Sequence, residues 1–210
     1  MRLFLPRTVR LAALVLVMVI SLGVMRRFAF PLDVSVLEFL ATTRRPYWTG
    51  IFRVVTNLVH PYFVTLVSCL LGFYFLFRNQ KRWLYLLLVN SALGLFLSYG
   101  LKALFTRSRP SVVLPLVTET TFSYPSGHSV GVVILYGFVA RYTVERYPTA
   151  RVWIIVSTTL LVALVAFSRL YLGVHYPTDV VAGLLLAYLA QHLLFTLYPI
   201  EPGRLSIPPK

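Results

Sequence analysis

Three short segments in the second half of an apolar chain carry side chains that suit chemistry on an anion. The first is the segment 101–110, in which Lys102 and Arg109 lie seven residues apart. Two turns of helix would place them on one face, and we expect that helix to stop at Pro110, with Arg107 off the shared face. The structural alternative is a helix end whose cations reach the membrane surface.

The second segment, 123–132, reads SYPSGHSVGV and predicts the start of a helix. Ser126 is the expected N-cap, Gly127 would let a ligand approach the backbone closely, and His128 would lie in the first turn. Because the N–H groups at a helix N-terminus attract anions, this turn is a candidate anion site. The alternative is a capped helix with a histidine at its boundary.

The third segment, FSRLYLGVHYPTDVVAGLLLAY at 167–188, holds Arg169, His175 and Asp179 in apolar surroundings. Charged groups in such surroundings cost several kcal/mol unless they are paired or solvated. Pro177 suits the first turn of a helix, with Asp179 in the same turn. A carboxylate within reach of His175 would fix the tautomer of the ring and leave its other nitrogen to attack or bind. A structural salt bridge between Arg169 and Asp179 is the alternative.

Together these segments offer three cations, two histidines, one carboxylate and a helix N-terminus. Three cations and backbone N–H groups match the three non-bridging oxygens of a transferring phosphoryl group. Two histidines suit a covalent route in which one attacks phosphorus and the other protonates the leaving oxygen. Glu119 is the only other acid near these segments, so the sequence provides no carboxylate pair for a divalent metal ion.

The elements that must position these residues are membrane spans. Of the 210 residues 58% are hydrophobic and 12% are charged, which indicates an integral membrane protein with a single domain. The stretch 33–58 is too polar to span and is predicted to form one or two amphipathic helices in the interface. We predict an all-α, polytopic protein with six spans, at about 9–25, 60–77, 83–105, 127–142, 152–167 and 177–198.

The net charge of +14 comes from basic residues in short segments between apolar runs. Such a distribution indicates membrane topology, anionic lipids or an anionic substrate, and not nucleic acid. Six spans place both termini on one side, and the positive-inside rule favours the cytoplasm for them. The three segments would then face outward. The N-terminal apolar run is read as a retained span, because no small-x-small cleavage site follows it.

The chain resembles the type-2 phosphatidic acid phosphatases, whose signature has three parts. The matching residues are KALFTRSRP at 102–110, PSGH at 125–128 and SRLYLGVHYPTD at 168–179. All three match in order and without a departure, and the six-span plan resembles the compact bacterial members. The resemblance therefore implies one membrane-embedded phosphatase domain over residues 1–210.

The resemblance also implies roles for single residues. His175 would be the nucleophile, oriented by Asp179, and His128 the general acid and later the general base. No metal and no cofactor are implied. Tyr124 and Glu119 border the motif loop and are candidates for contact with a lipid headgroup. The residues implied to hold the phosphate are Lys102, Arg109, Arg169, Ser126 and Gly127.

The implied activity is metal-independent hydrolysis of a lipid phosphate or diphosphate at the outer face of a bacterial inner membrane, through a phosphohistidine. Undecaprenyl diphosphate is the first choice of substrate, and phosphatidylglycerophosphate and phosphatidic acid are the alternatives. Membrane lipids are the other expected partners, and the oligomeric state stays open. Vanadate-dependent peroxidation is a second enzymatic reading. A transporter of anions or lipids is the non-enzymatic one, although it needs neither the spacing of the cations nor two histidines.

Overall fold

The computed structural model describes residues 7–25 and 30–199, and every regular element in this part of the chain is a helix. Four of the helices begin with proline, whose fixed φ and missing N–H suit the first helical position. The all-α prediction is confirmed for the described residues. The helices are α1 Arg7–Met25, α2 Pro31–Thr42, α3 Pro46–Asn57, α4 Pro61–Phe77, α5 Lys81–Phe105, α6 at 127–146, α7 Arg151–Tyr171 and α8 Pro177–Leu197.

Each of the six predicted apolar segments forms a helix whose ends lie within about one turn of the predicted ends. Among the described residues, three helices are long and apolar enough to cross a membrane: Lys81–Phe105, Pro148–Tyr171 and Pro177–Leu197. A fourth follows if the bent pair Pro46–Asn57 and Pro61–Phe77 counts as one span, and Val9–Val24 is a shorter apolar helix. The helices are therefore confirmed, and the number of spans stays a prediction.

The polar stretch after the first apolar helix forms α2 and α3, which pack beside α7 and α8. The ring of Phe52 in α3 lies 4.6 Å from the ring of Tyr171 at the end of α7. Asp33 in α2 accepts a hydrogen bond of 2.9 Å from the backbone N–H of Thr178 in α8. Both helices thus lie at the end of the bundle where α7 stops and α8 starts.

A wide, π-helical turn interrupts α5 at Phe96–Gly100 and α6 at Val133–Gly137. The carbonyl of Ile134 accepts hydrogen bonds from Asn90 of α5 at 2.9 Å and from Gln191 of α8 at 3.2 Å. Gln191 also donates to the side-chain oxygen of Asn90 at 3.0 Å. Such turns leave backbone groups without their usual partners, and here two amides satisfy one of them and join three helices.

The N-termini of α6 and α8 are in direct contact. The backbone N–H of Ser126 donates to the carbonyl of Asp179 at 3.0 Å. A Cβ atom at Gly183 would lie 2.8 Å from the carbonyl oxygen of Ser126, so only glycine allows this approach. The second and third sequence segments are held side by side by this contact.

Candidate active site

The three segments meet at a cavity of about 710 Å³, at the end of the bundle where α5 and α7 stop and α6 and α8 begin. Two of the predicted residues, Ser126 and Asp179, are fully buried and lie behind the cavity wall. The other predicted residues line the cavity: Lys102, Arg109, Gly127, His128, Arg169 and His175.

His175 lies in the short connection between α7 and α8, with 1% of its surface exposed. Its Nδ1 is 3.6 Å from Oδ2 of Asp179, and its Nε2 is 3.3 Å from Nη1 of Arg109. Burial lowers the pKa of His175 to about 4, and the neighbouring Asp179 offsets only part of that effect. The ring is therefore neutral at physiological pH, and Nε2 is the nitrogen that faces the cations of the cavity.

Asp179 occupies the first turn of α8, as its sequence position predicts. Its Oδ2 accepts hydrogen bonds from the backbone N–H of Tyr176 at 3.0 Å and from the hydroxyl of Ser123 at 2.5 Å. The hydroxyl oxygen of Ser123 is also 3.4 Å from Nδ1 of His175. Ser123 therefore contacts both members of the His175–Asp179 pair, although the sequence reasoning did not select it.

Arg107 is the second residue that the sequence reasoning missed. Its guanidinium bridges Oδ1 of Asp179 at 2.5 Å and Oδ2 of Asp33 at 2.8 Å, and it lies over the ring of Tyr176. Burial lowers the pKa of Arg107, but the two carboxylates outweigh burial and raise the pKa above its ordinary value. Arg107 does not line the cavity with Lys102 and Arg109, as predicted, but it is the ionic partner of Asp179, a contact that the sequence did not predict.

The predicted helical face shared by Lys102 and Arg109 is wrong. Helix α5 ends at Phe105, and Thr106 has left-handed backbone angles (φ 46°, ψ 31°), so the chain leaves the helix before Arg109. Both cations still line the cavity, because the chain turns back along it. Nζ of Lys102 donates to the carbonyl of Phe122 at 2.5 Å.

The two arginines of the cavity are fixed by the chain around them. Nε of Arg109 donates to the carbonyl of Thr121 at 2.7 Å, and Nη1 donates to the carbonyl of Val174 at 2.8 Å. Arg169 lies in the last turn of α7, is 1% exposed, and donates to the hydroxyl of Thr56 at 2.6 Å. Guanidinium groups held in this way suit an anion with several oxygens.

Glu119 is the carboxylate that pairs with both arginines. One of its oxygens is hydrogen-bonded to Arg169, and the other lies 3.5 Å from Nη2 of Arg109. Burial raises the pKa of Glu119, but the charges of Arg169 and Arg109 outweigh burial and hold the pKa below its ordinary value. The alternative of a salt bridge between Arg169 and Asp179 is thus wrong, because Glu119 takes that place.

The predicted N-cap of the second segment is confirmed. The hydroxyl oxygen of Ser126 accepts a hydrogen bond of 3.4 Å from the backbone N–H of Ser129. His128 follows in the first turn and lines the cavity together with His175. Tyr124 is fully buried and its hydroxyl is 2.7 Å from the hydroxyl of Ser21, so it does not contribute to the cavity wall.

Away from these charges the cavity continues between α4 and α5. The wall there is mostly apolar and includes Val64, Gly72, Leu88 and Leu95, with Ser68 among its few polar residues. A cavity with cations and histidines at one end and apolar walls at the other suits an amphiphile with an anionic headgroup. Within residues 7–25 and 30–199, no group of three or more His, Cys, Asp or Glu side chains could hold a metal ion.

Comparison with known proteins gives matches in sequence and in structure. The model of the PAP2 superfamily matches residues 83–201. Phosphatidylglycerophosphatase B of Bacillus subtilis is 31% identical over 166 residues, which are 77% of this chain and 81% of that protein. Undecaprenyl-diphosphatase of Sulfolobus acidocaldarius is 39% identical over 67 residues, 32% of this chain and 29% of that protein. The crystal structure of a transmembrane PAP2-type phosphatidylglycerolphosphate phosphatase from Bacillus subtilis superposes with a TM-score of 0.80 at 25% identity, over 90% of this chain and 95% of that one.

Proposed function

Since this chain belongs to the PAP2 superfamily and is a lipid phosphate hydrolase, we propose that it acts through a covalent phosphohistidine at His175, without a metal ion. The observation that carries the proposal is the orientation of the neutral ring. Its Nδ1 faces Asp179, and its Nε2 is 3.3 Å from Arg109 at the cavity. A phosphoryl group held by the cations would be within reach of that nitrogen.

In the first step, Nε2 of His175 attacks phosphorus and the bond from phosphorus to the lipid oxygen breaks. His128, on the cavity wall, gives that oxygen its proton. Negative charge builds up on the non-bridging oxygens, where Lys102, Arg109 and Arg169 supply positive charge. The N-terminus of α6 is the remaining donor group, through Gly127 at the cavity wall. Ser126 lies behind that wall with its N–H paired to Asp179, and it supports the site as the N-cap of α6. Asp179 stabilises the ring of His175 as it becomes positive.

In the second step, His128 takes a proton from water, and the resulting nucleophile attacks the phosphohistidine. The bond between phosphorus and Nε2 breaks, which releases inorganic phosphate and restores His175. One side chain thus serves first as an acid and then as a base. The three cations provide the charge that a metal ion would otherwise supply.

For the substrate, we favour phosphatidylglycerophosphate over undecaprenyl diphosphate. The relative named for the former matches over 81% of its length, whereas the relative named for the latter matches over 29%. Undecaprenyl diphosphate, the first choice from sequence, stays the second candidate because that shorter match includes higher identity. The apolar walls of the cavity between α4 and α5 suit the hydrocarbon chains of either lipid.

We further propose that residues 1–210 form one membrane domain of a bacterial inner membrane. It would have six spans, formed by α1 and α4 to α8, with α2 and α3 in the interface. The cavity would face outward and the chain ends would lie in the cytoplasm, although residues 1–6 and 200–210 lie outside the described part. The short connections at 78–80 and 147–150 lie at the end opposite the cavity and are flanked by basic residues. The positive-inside rule favours the cytoplasm for that end, which supports this arrangement.

The function is tested by phosphate release from a panel of lipids with the purified protein in EDTA. We expect turnover of phosphatidylglycerophosphate to survive chelation and to be blocked by vanadate, which imitates five-coordinate phosphorus. Undecaprenyl diphosphate and phosphatidic acid complete the panel and rank the substrates. Loss of turnover on chelation that magnesium restores would refute the metal-independent mechanism.

A further inference from the structure

Glu119 is an acid placed among the cations that are proposed to hold a phosphate. Its two carboxylate oxygens face different arginines, Arg169 and Arg109, both of which line the cavity. Within the described residues it forms the only carboxylate ion pair of Arg169, because Asp179 is paired with Arg107. A carboxylate bridging two guanidinium groups resembles, in charge and in its oxygens, one edge of a phosphate.

The pairing with Glu119 leaves one hydrogen-bond donor of Arg169 without an acceptor. Its Nη1 donates to Thr56 and its Nη2 to Glu119, but its buried Nε has no hydrogen-bond partner among the described residues. A buried donor without a partner is costly. A phosphoryl group offers more acceptor oxygens than a carboxylate does, so it can replace Glu119 at the arginines with a gain in hydrogen bonding.

Glu119 has the freedom to leave the arginines. It lies in the segment 106–126, which has neither helix nor strand. The chain is anchored before it, where the backbone N–H of Leu116 donates to Leu172 at 2.9 Å, and after it, where that of Ser123 donates to Arg107 at 2.8 Å. Rotation of the Glu119 side chain, which is 24% exposed, is enough to release both arginines while the segment keeps its place.

We propose that Glu119 is an internal counter-anion of the phosphate site. Its carboxylate bridges Arg109 and Arg169, gives way when a phosphoryl group binds, and returns as inorganic phosphate departs. The proposal rests on the proposed function of the same site. Its consequence is faster product release, because a carboxylate that competes for the cations weakens the binding of every phosphate-like anion.

The test compares Glu119→Gln and Glu119→Ala with the wild-type protein. The binding of orthovanadate and of inorganic phosphate is measured by calorimetry and as inhibition of lipid phosphate hydrolysis. If the carboxylate occupies the arginines about nine-tenths of the time, its removal tightens both anions about tenfold, since apparent affinity scales with the competent fraction. We expect that gain in both variants, together with a lower kcat where phosphate release limits turnover.

The matched control is Glu145→Gln, which makes the same change in net charge. Glu145 pairs with Arg141 at 2.7 Å on α6, away from the cavity, so anion binding is expected to stay at the wild-type level. Anion affinity that is unchanged or weaker in both Glu119 variants would overturn the proposal, and so would failure of all these proteins to bind either anion. A wild-type protein that binds vanadate but hydrolyses no lipid phosphate would instead refute the proposed function, and calorimetry would still decide on Glu119.

Discussion

The carboxylate of Asp179 is completely buried, and its neighbours determine how it can serve His175. Arg107 neutralises one oxygen, while Ser123 and the backbone N–H of Tyr176 donate to the other. The carboxylate is thus held in one orientation with most of its charge compensated. In the proposed mechanism it is a positioning residue, which orients the ring of His175 and stabilises positive charge on it.

Replacing Arg107 by Ala is therefore expected to reduce activity severely. Removing one partner of a buried ion pair costs about 3–5 kcal/mol, and here it leaves both Asp179 and Asp33 without their cation. We expect kcat/KM to fall at least about a hundredfold, with partial recovery in Arg107→Lys. Arg146→Ala is the control, since that arginine lies over Tyr147 at the opposite end of α6. Activity of Arg107→Ala within a factor of two of the control would show that Asp179 does not need this partner.

The titration of His175 is a second expectation at this scale. Its pKa of about 4 lies below the ordinary imidazole value of about 6.5, because the charged ring is disfavoured by burial. The neutral ring therefore persists down to about pH 4. The shift contributes stability that is present above pH 6.5 and is lost as the pH falls from 6.5 toward 4, where the unfolded chain binds the extra proton. Nitrogen-15 NMR of histidine-labelled protein, with His175→Gln to assign the signal, measures the midpoint; a midpoint near 6.5 would contradict the burial argument.

The residues predicted from the sequence are defined by local spacing, whereas those found only in the structure are defined by long-range contacts. His128, His175 and Asp179 are fixed by local spacing and by helix starts, so the sequence could predict them. Arg107 and Asp33 meet across 74 residues of chain, a contact that no spacing rule reports. The available signal for Asp33 was an acid in the first turn of the otherwise largely apolar helix α2.

At the scale of elements, the site depends on how closely α6 and α8 approach each other. Gly183→Ala would place a Cβ atom 2.8 Å from the carbonyl oxygen of Ser126, and overpacking of this kind costs about 1–3 kcal/mol. We expect a lower melting temperature. We also expect turnover to fall by more than the loss of folded protein explains, because His128 lies in the helical turn that Ser126 caps. Activity and thermal unfolding in detergent are the measurements.

Gly50→Ala is the matched control for that substitution. Gly50 lies within α3, and a Cβ atom there would meet nothing within 4 Å. Since alanine favours a helix interior over glycine, the control is expected to be neutral or more stable by up to about 1 kcal/mol. Equal effects of the two substitutions would mean that the approach of α8 to Ser126 does not set the geometry of the site.

Helix positions and approximate helix ends followed from apolar length and from prolines, whereas the break between Lys102 and Arg109 did not. From their spacing, Lys102 and Arg109 were expected to share a helical face, with Pro110 as the stop of the helix. The structure instead ends α5 at Phe105, with Thr106 in the left-handed region that threonine rarely adopts. The π-helical turns of α5 and α6 could not be predicted from the sequence either, because the apolar pattern of a helix continues through them.

At the scale of the whole molecule, the charge distribution predicts which side of the membrane the cavity faces. Val112 lies in the segment that covers the cavity, and Tyr147 lies in the turn at the opposite end; both are exposed. With the exposed Cys69 replaced by Ser, a membrane-impermeant maleimide is expected to label Val112→Cys in intact cells and Tyr147→Cys only after lysis. The reverse pattern would place the site in the cytoplasm and refute the proposed topology.

The covalent role of His175 is tested most directly by rapid quench into alkaline detergent, in which a phosphohistidine survives, with a substrate labelled in its terminal phosphate. Phosphoprotein labile to acid is expected in the wild-type protein, and His175→Ala can form none. His128→Ala is expected to accumulate the phosphoprotein from a diphosphate substrate. The leaving group of a diphosphate needs no proton, whereas hydrolysis of the intermediate needs water that His128 activates. Label on His175→Ala, or no label on His128→Ala with any lipid of the panel, would contradict the assignment of His175 as the nucleophile.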